Sequence, residues 1–222
     1  MSDLPQLSGP MLPPANGGDP ARIVVFAHGV GANGDDLIGL APFFQQVLPD
    51  ALFVSPNAPF PYDMAPQGYQ WFSLGDFSQE SRLAGAQATA PILDAYLDEQ
   101  LAEYGLMESD MALIGFSQGT MMALHVGLRR ERQLAAIVGY SGMLVGDTVL
   151  KDEIKSLPPV MLVHGQDDPL LPIDCLAHAK TNLDSLGFDV EAHVRPGLAH
   201  GIDEPGIRLG MDFLMRAFGG DA

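Results

Sequence analysis

The sequence predicts an α/β fold with a mostly parallel central sheet and helices on both of its faces. Short apolar runs of four to six residues recur along the chain, which is typical of strands buried on both sides. Segments with helical spacing lie between several of these runs, and this alternation indicates a doubly wound sheet. With 222 residues, of which 47% are hydrophobic, the chain can bury one core. We therefore expect a single domain over residues 21–222.

The first predicted segment, residues 1–20, is an irregular N-terminal arm rich in proline and glycine, with room for one short edge strand. The predicted strands that follow are RIVVFAHG (22–29), ALFVSP (51–56), MALIGF (111–116), AAIVGYS (135–141), VMLVHG (160–165) and the alternating VEAHV (190–194).

The longest predicted helix carries an apolar face with spacings of three or four residues: Leu83, Ala86, Ala90, Leu93, Leu97 and Leu101. Pro91 should kink this helix or mark a late start. Further helices are predicted over 118–131, 173–186 and 205–218. Two long connections, 58–79 and 141–157, do not fit the alternation, and long loops in compact domains are usually functional or disordered. The aromatic residues of 58–79 argue against disorder there.

The charge and the cysteine content restrict the partners. The formal net charge is −17, from 28 acidic and 11 basic residues. Nucleic acid and anionic membranes both require clustered positive charge, so we expect neither as a partner. No run approaches the roughly 20 apolar residues of a membrane span, and the first residues lack a signal-peptide pattern. Because Cys175 is the single cysteine, an internal disulfide is excluded. We expect a cytoplasmic protein without stable membrane insertion.

The segment GFSQG, residues 115–119, lies between a predicted strand and a predicted helix. This is the setting of a nucleophile elbow, in which a serine is lifted above the sheet by a sharp turn. Glycines two positions before and after Ser117 let the strand and the helix pass close together. The helix N-terminus then offers N–H groups to a developing oxyanion. We expect Ser117 to act as a nucleophile rather than as an ordinary N-cap.

A serine nucleophile needs a base, and the base needs an orienting acid. Asp167 and Asp168 follow a predicted strand, and His200 lies in a glycine-flanked loop after the last strand. Both places are outside the carboxyl ends of the strands, where ligands bind in open α/β sheets. The other histidines are expected to be structural or to face solvent: His28, His125, His164, His178 and His193.

The glycine-rich segment 26–37, FAHGVGANGDDL, follows the first parallel strand. Such a turn can aim a backbone N–H at a reacting carbonyl, opposite the N–H of the residue after the nucleophile. Val30 and Gln118 are therefore the expected oxyanion pair. The alternative is that this segment is an ordinary glycine-rich turn in which Asp35 or Asp36 caps the N-terminus of a helix. Neither an HExxH pattern, a paired-cysteine site nor an EF-hand spacing occurs, and we expect no metal.

The motifs HGVGANGDDL, PNAP, WFSL, GFSQGT, YSG, HGQDDPLLP and GLAHG occur in this order between about Arg22 and Phe218. The chain thereby resembles the phospholipase/carboxylesterase family of α/β hydrolases, which includes the acyl-protein thioesterases. The resemblance implies an α/β-hydrolase fold without a large lid domain, and no cofactor. It implies Ser117 as nucleophile, Asp168 in HGxxD as orienting acid and His200 as base. It likewise implies that the oxyanion N–H groups belong to Val30 and Gln118.

The expected substrate is a small molecule. Eukaryotic acyl-protein thioesterases of the family carry a glycine after GFSQG and the triplet WFD, where this chain has Thr120 and WFS ending at Ser73. We therefore expect a bacterial-type carboxylesterase for short- to medium-chain acyl esters. The alternatives are an acyl-protein or acyl-CoA thioesterase or a lysophospholipase and, less favoured, a peptidase or a non-catalytic binding protein. A homodimer and a lid movement of 58–79 stay open. The expected pocket residues are Met64, Trp71, Phe72, Met143, Leu170 and Leu171.

Overall fold

The computed structural model describes residues 4–220, and its secondary structure alternates as the sequence predicts. The strands are β1 (Met11–Leu12), β2 (Arg22–Ala27), β3 (Ala51–Val54), β4 (Phe60–Pro61), β5 (Tyr69–Gln70), β6 (Met111–Phe116), β7 (Ala136–Tyr140), β8 (Val160–Gly165) and β9 (Val190–Arg195). The helices are α1 (Gly34–Ile38), α2 (Ala41–Phe44), α3 (Gln79–Tyr104), α4 (Gln118–Gly127), α5 (Asp147–Glu153), α6 (Asp174–Ser185) and α7 (Glu204–Ala217). Residues 1–3 of the predicted arm and 221–222 of the predicted domain lie outside the described residues.

The main sheet of the described chain has seven strands in the order β1-β3-β2-β6-β7-β8-β9. All neighbours are parallel except β1, which pairs antiparallel with β3 at the edge. After β3 the chain returns to the other side of β2 and continues outward from β6, so the order reverses between β2 and β6. Ala27 lies opposite Gly115 in this central pair. The crevice beyond these carboxyl ends is where such sheets bind ligands.

Both faces of the sheet are covered by helices, as predicted. One core contains fully buried side chains of α3, α4 and α6, among them Leu93, Met122 and Leu183. The other contains side chains of α2 and α7, including Phe44 and Leu214. Because each face loses its contact with water, the central strands are apolar at nearly every position rather than at alternate ones.

Pro91 does not mark a late start of helix α3, which was one of the two possibilities expected from the sequence. The helix begins at Gln79, where the side chain of Ser78 accepts a hydrogen bond from the Ser81 N–H, and Pro91 lies inside it. Proline removes one N–H from the helical ladder, but buried side chains on both sides of it, such as Ala86 and Leu93, still belong to the core on one face of the sheet. Gly105 ends the helix in the left-handed conformation, with a φ of 65°.

The two long connections contain short elements that the sequence pattern does not predict. Residues 58–79 contain the antiparallel β4–β5 pair, and residues 141–157 contain α5. Elements of two to seven residues are too short to show a periodicity. No helix of residues 4–220 has the length and the apolar character needed to cross a membrane.

Candidate active site

Ser117 stands at a strained turn between β6 and α4. Its φ of 53° and ψ of −115° lie outside the regions that a serine ordinarily adopts, and such a conformation costs roughly 1–3 kcal/mol. The turn requires both flanking glycines. A Cβ on Gly119 would lie 1.8 Å from the Ala27 carbonyl oxygen, and one on Gly115 would lie 2.5 Å from the Thr120 Cα. The backbone approach that the sequence predicts at the elbow is therefore present.

His200 is held by one of the two adjacent acids. Its Nδ1 lies 2.7 Å from Asp168 Oδ2, while Asp168 Oδ1 accepts hydrogen bonds of 2.9 Å from the N–H groups of Leu170 and Leu171. Burial raises the pKa of the Asp168 carboxyl, but the hydrogen bonds from Leu171, His200 and Leu170 outweigh it and hold the pKa below its ordinary value. Asp167 is exposed. The structure thus brings Asp168, and not Asp167, to His200.

Ser117 and His200 line one cavity. Within residues 4–220, the side-chain hydrogen bond of His200 is the one to Asp168, and none joins His200 to Ser117. Catalytic hydrogen bonds are often long before the substrate complex forms and tighten within it. The Phe116 ring packs 5.1 Å from the His200 ring, measured between centroids, and restricts where the imidazole can move.

A second buried histidine contacts the same acid. His164 Nε2 lies 2.9 Å from the Leu171 carbonyl oxygen and 3.4 Å from Asp168 Oδ2. From the sequence, His164 is expected to have only a general structural role. The spacing HxxxD in HGQDD is the signal for this contact, because it places the histidine at the end of β8 and the acid in the turn after it.

The loop after β2 presents Val30 to the cavity. Within residues 4–220, the backbone N–H groups of Val30 and Gln118 make no hydrogen bond to a backbone acceptor outside the regular helix and strand pairing. The Gly29 carbonyl, in the same planar peptide unit as the Val30 N–H, lies 2.8 Å from His28 Nδ1. His28 Nε2 accepts from the Ala58 N–H at 2.9 Å, which assigns the proton to Nδ1. Burial lowers the pKa of His28, so the ring is kept neutral.

The β4–β5 hairpin supports the same loop from the outside. The Gly31 N–H donates to the Tyr69 carbonyl at 2.8 Å, and the Tyr69 N–H donates to the Ala32 carbonyl at 2.8 Å. A Cβ on Gly68 would lie 2.1 Å from the Gly31 carbonyl oxygen. The hairpin in 58–79 therefore forms part of the wall that holds Val30.

The cavity beside Ser117 has a volume of about 380 Å³ and is mostly apolar. It is lined by Gly29, Val30, Ala32, Leu74, Phe77, Phe116, Ser117, Met121, Leu170, Leu171 and His200. Of these, Leu170 and Leu171 are predicted pocket residues. The sequence does not single out Leu74, Phe77, Phe116 and Met121, although Met121 is one helical turn after Ser117 and Phe116 is adjacent to it.

The other four expected pocket residues do not line this cavity. Met64 is 73% exposed on the hairpin. Trp71 and Phe72 are buried in the core under the loop, where their backbone and indole groups make hydrogen bonds. Met143 lines small cavities beside α6 instead. An apolar residue in a long loop can face the core, the solvent or the substrate, and the sequence alone does not separate these three.

Residues 4–220 contain no group of three or more His, Cys, Asp or Glu side chains that could hold a metal ion. The remaining histidines make structural or surface contacts. His125 is buried, and burial with the nearby Arg129 charge lowers its pKa to about 4. His178 lies 3.0 Å from Asp147 at the surface, and His193 lies 3.6 Å from Glu191.

The sequence model of the family described as Phospholipase/Carboxylesterase matches residues 15–216. The chain belongs to this family. Esterase YpfH from Escherichia coli (strain K12) is 29% identical over 194 residues, which cover 87% of this chain and 82% of that protein. Acyl-protein thioesterase 1 from Gibberella zeae is 27% identical and covers 80% and 82% of the two chains. The crystal structure of esterase PE8 superposes with a TM-score of 0.92 at 42% identity, covering 96% of this chain and 99% of that one. Membership makes the chain a hydrolase of carboxylic esters with the α/β-hydrolase fold.

Proposed function

We propose that the protein is a serine carboxylesterase that hydrolyses short- to medium-chain acyl esters through an acyl-enzyme on Ser117. The observation that carries this proposal is the geometry of one cavity. Ser117 occupies a strained strand-to-helix turn there, and His200, 2.7 Å from buried Asp168, lines the same space. A serine, an oriented imidazole and two free backbone N–H groups are the parts that acyl transfer requires.

In the proposed first step, Ser117 Oγ attacks the ester carbonyl carbon while His200 Nε2 takes the hydroxyl proton. Asp168 accepts the Nδ1–H of His200, which fixes the tautomer and stabilises the imidazolium. The carbonyl oxygen becomes negatively charged and accepts hydrogen bonds from the N–H groups of Val30 and Gln118. The tetrahedral intermediate then collapses, the carbon–oxygen bond to the alcohol breaks, and His200 returns its proton to the leaving oxygen.

In the second step, water attacks the acyl-enzyme and His200 takes one of its protons. The second tetrahedral intermediate releases the carboxylic acid as the bond to Ser117 Oγ breaks, and Ser117 regains its proton from His200. No other reactant is required.

The size of the cavity supports the chain length. A volume of about 380 Å³ is near the lower end of the roughly 300–1,000 Å³ typical of ligand sites. Leu74, Phe77, Met121 and Leu171 give the walls an apolar surface suited to an acyl chain. An acyl group that exceeds this space has to extend past Leu170, which is 67% exposed at the rim.

Thioester hydrolysis is the second candidate, and the acyl-protein thioesterases among the relatives favour it. The chain differs from that group at Ser73, whose hydroxyl donates to the Asp63 carboxylate on the hairpin. This hydrogen bond lowers the pKa of Asp63. The loop therefore carries its negative charge on Asp63, whereas in the thioesterases the aspartate of WFD provides it. We favour the small ester, with acyl-CoA and acyl-protein thioesters and lysophospholipids as comparison substrates.

The test combines labelling with a substrate panel. A fluorophosphonate should give a single adduct on Ser117 by mass spectrometry, and Ser117→Ala should lower kcat by about 10^4-fold or more, because the three residues act as a unit. p-Nitrophenyl esters from C2 to C16, an amide and a thioester then rank the substrates. Active protein with unmodified Ser117 would overturn the proposal, and a preference for C16, for the amide or for the thioester would replace the substrate class.

We also propose a cytoplasmic enzyme. The support is Cys175, which is the one cysteine of the sequence and therefore suits a reducing compartment. A homodimer is the alternative to a monomer in solution, and light scattering coupled to size-exclusion chromatography separates the two by mass.

A further inference from the structure

The side chain of Gln118 is fully buried although its backbone alone is needed for the oxyanion. Its amide makes two hydrogen bonds to consecutive residues of the aromatic segment. Oε1 accepts from the Trp71 N–H at 2.9 Å, and Nε2 donates to the Phe72 carbonyl at 2.7 Å. A buried amide without partners is costly. The two hydrogen bonds therefore fix the position of residues 71–72 relative to the N-terminus of α4.

Trp71 extends the connection to the loop that carries Val30. Its indole N–H donates to the His28 carbonyl at 2.9 Å, and its own carbonyl accepts from the Thr89 hydroxyl at 2.7 Å. Trp71, Thr89 and His28 are each at most 1% exposed. His28 precedes the Gly29–Val30 peptide, so the indole holds the chain two residues before the Val30 N–H.

The two expected oxyanion donors are therefore joined through protein groups other than the sheet. From the Gln118 side chain the connection runs through Trp71 to the His28 carbonyl and the Val30 loop. Strands β2 and β6 hold the two elements together as well, but their last paired residues are Ala27 and Gly115, and both donors lie beyond the end of the ladder. The separation of the two N–H groups depends on contacts outside it.

We propose that the side chains of Gln118 and Trp71 are positioning residues that fix the Val30 and Gln118 N–H groups at the separation required by one oxyanion. This inference rests on the proposed acyl-transfer function and deepens it. It gives Gln118 two distinct roles, a backbone donor and a side-chain brace. Part of the segment 58–79 thereby supports the two oxyanion donors, because Trp71 makes hydrogen bonds through both its backbone and its indole.

The test uses Gln118→Ala and Trp71→Phe, which both leave the two backbone N–H groups in the chain. Displacing a donor by about 1 Å can cost up to about 100-fold in rate, so we expect kcat to fall by roughly 10- to 100-fold. KM should stay within about threefold, since the cavity walls are unchanged. The matched control is Tyr140→Phe, which removes a buried hydrogen bond of 3.1 Å to the Gly206 carbonyl in the core on the other face of the sheet. Its kcat should change less than about twofold.

A second measurement separates positioning from a merely structural role. An alkyl trifluoromethyl ketone forms a tetrahedral adduct with a serine nucleophile and places an oxyanion in the hole, whereas the corresponding alkyl alcohol only fills the cavity. In Gln118→Ala and Trp71→Phe, the inhibition constant of the ketone should rise by the same factor as kcat/KM falls. That of the alcohol should stay constant. This proportionality is the signature of a lost transition-state interaction.

The outcomes are distinct for the two levels of the proposal. Wild-type protein that hydrolyses esters without a fluorophosphonate adduct on Ser117 overturns the proposed function. Wild-type protein that is labelled, together with folded variants whose kcat and ketone affinity match it, overturns the brace alone. A loss of kcat without a loss of ketone affinity also overturns it. If Gln118→Ala shows no cooperative unfolding transition, Trp71→Phe decides the result.

Discussion

Asp167 and Asp168 are neighbours in the chain with opposite surroundings. Asp168 is buried and accepts hydrogen bonds from His200, Leu170 and Leu171, while Asp167 faces solvent. We expect Asp168→Asn to lower kcat/KM by about 10^3- to 10^4-fold, because an amide favours the wrong imidazole tautomer. Asp167→Asn is the matched control and should change kcat/KM by less than about threefold. Steady-state kinetics on a p-nitrophenyl ester measure both, and the reverse order would reassign the orienting acid.

At the residue scale, the sequence predicts what depends on local motifs. The elbow serine and its two glycines lie within five consecutive residues. Ser117 can therefore be predicted as a nucleophile without knowing the fold. The choice between Asp167 and Asp168 came from family resemblance rather than from spacing, because both acids fit the turn. The cavity wall was predicted least well. Phe77 and Trp71 are similar in sequence context, yet one lines the cavity and the other is buried beneath the loop, which only the folded loop decides.

The elbow as an element depends on the close approach of β2 and α4. Gly119 is the contact point, since a Cβ there would lie 1.8 Å from the Ala27 carbonyl oxygen. We expect Gly119→Ala to lower the free energy of unfolding by about 3 kcal/mol or more, because the clash involves backbone that cannot rotate away. Gly39→Ala is the control, with a φ of −58° and its nearest contact at 3.6 Å. Urea denaturation of both variants should show the loss in the first alone, and equal midpoints would refute the close approach.

Helix α4 is buried along its whole length, and this makes His125 a source of acid sensitivity. Burial lowers its pKa from 6.5 to about 4. Between those pH values the unfolded chain binds a proton that the folded chain does not, so stability from this group is present above about pH 6.5 and is lost as the pH falls to about 4. The full difference is about 3 kcal/mol.

His125→Gln removes this titration. Relative to the wild type, the variant should gain about 3 kcal/mol in free energy of unfolding when the pH is lowered from 7 to 4, whatever its stability at pH 7. Urea titrations at four pH values in that range give the comparison. Parallel curves for the two proteins would show that His125 takes up its proton equally well in both states.

Elements with a clear period were predicted and short ones were not. The apolar runs of β2, β6 and β8 are continuous because both faces of each strand are covered. Such a run can be recognised in a single sequence. The β4–β5 pair and α5 are held by tertiary contacts, as Tyr69 shows through its two hydrogen bonds to the Val30 loop. Their local sequence carries no repeat, so the sequence indicated only that 58–79 and 141–157 are unusual connections.

At the scale of the whole molecule, a chain with a net charge of −17 contains an apolar cavity beside Ser117. Such a charge should repel highly anionic substrates on approach and leave neutral ones unaffected. Among residues 4–220, Arg82 lies behind the cavity wall: its guanidinium packs 4.4 Å from the centre of the Phe77 ring, which lines the cavity, while Arg82 itself lines a neighbouring cavity. Arg22, by contrast, is paired with Asp50 at the opposite end of β2. Arg82 is thus a positive charge close to the cavity wall, within a chain whose net charge is negative.

We expect the distributed charge to dominate, so that octanoyl-CoA is a poorer substrate than the neutral octanoyl thioester of N-acetylcysteamine. At 0.01 M salt, kcat/KM should differ by about 10-fold or more. The difference should narrow at 1 M, since the screening length falls from about 30 Å to about 3 Å. Arg82→Gln should widen the gap at low salt and leave the neutral thioester unchanged, because it removes the attraction nearest the cavity. Octanoyl-CoA preferred at low salt, with the preference lost in Arg82→Gln, would instead show that Arg82 overrides the net charge, and it would move the acyl-CoA thioesterase ahead of the small-ester enzyme.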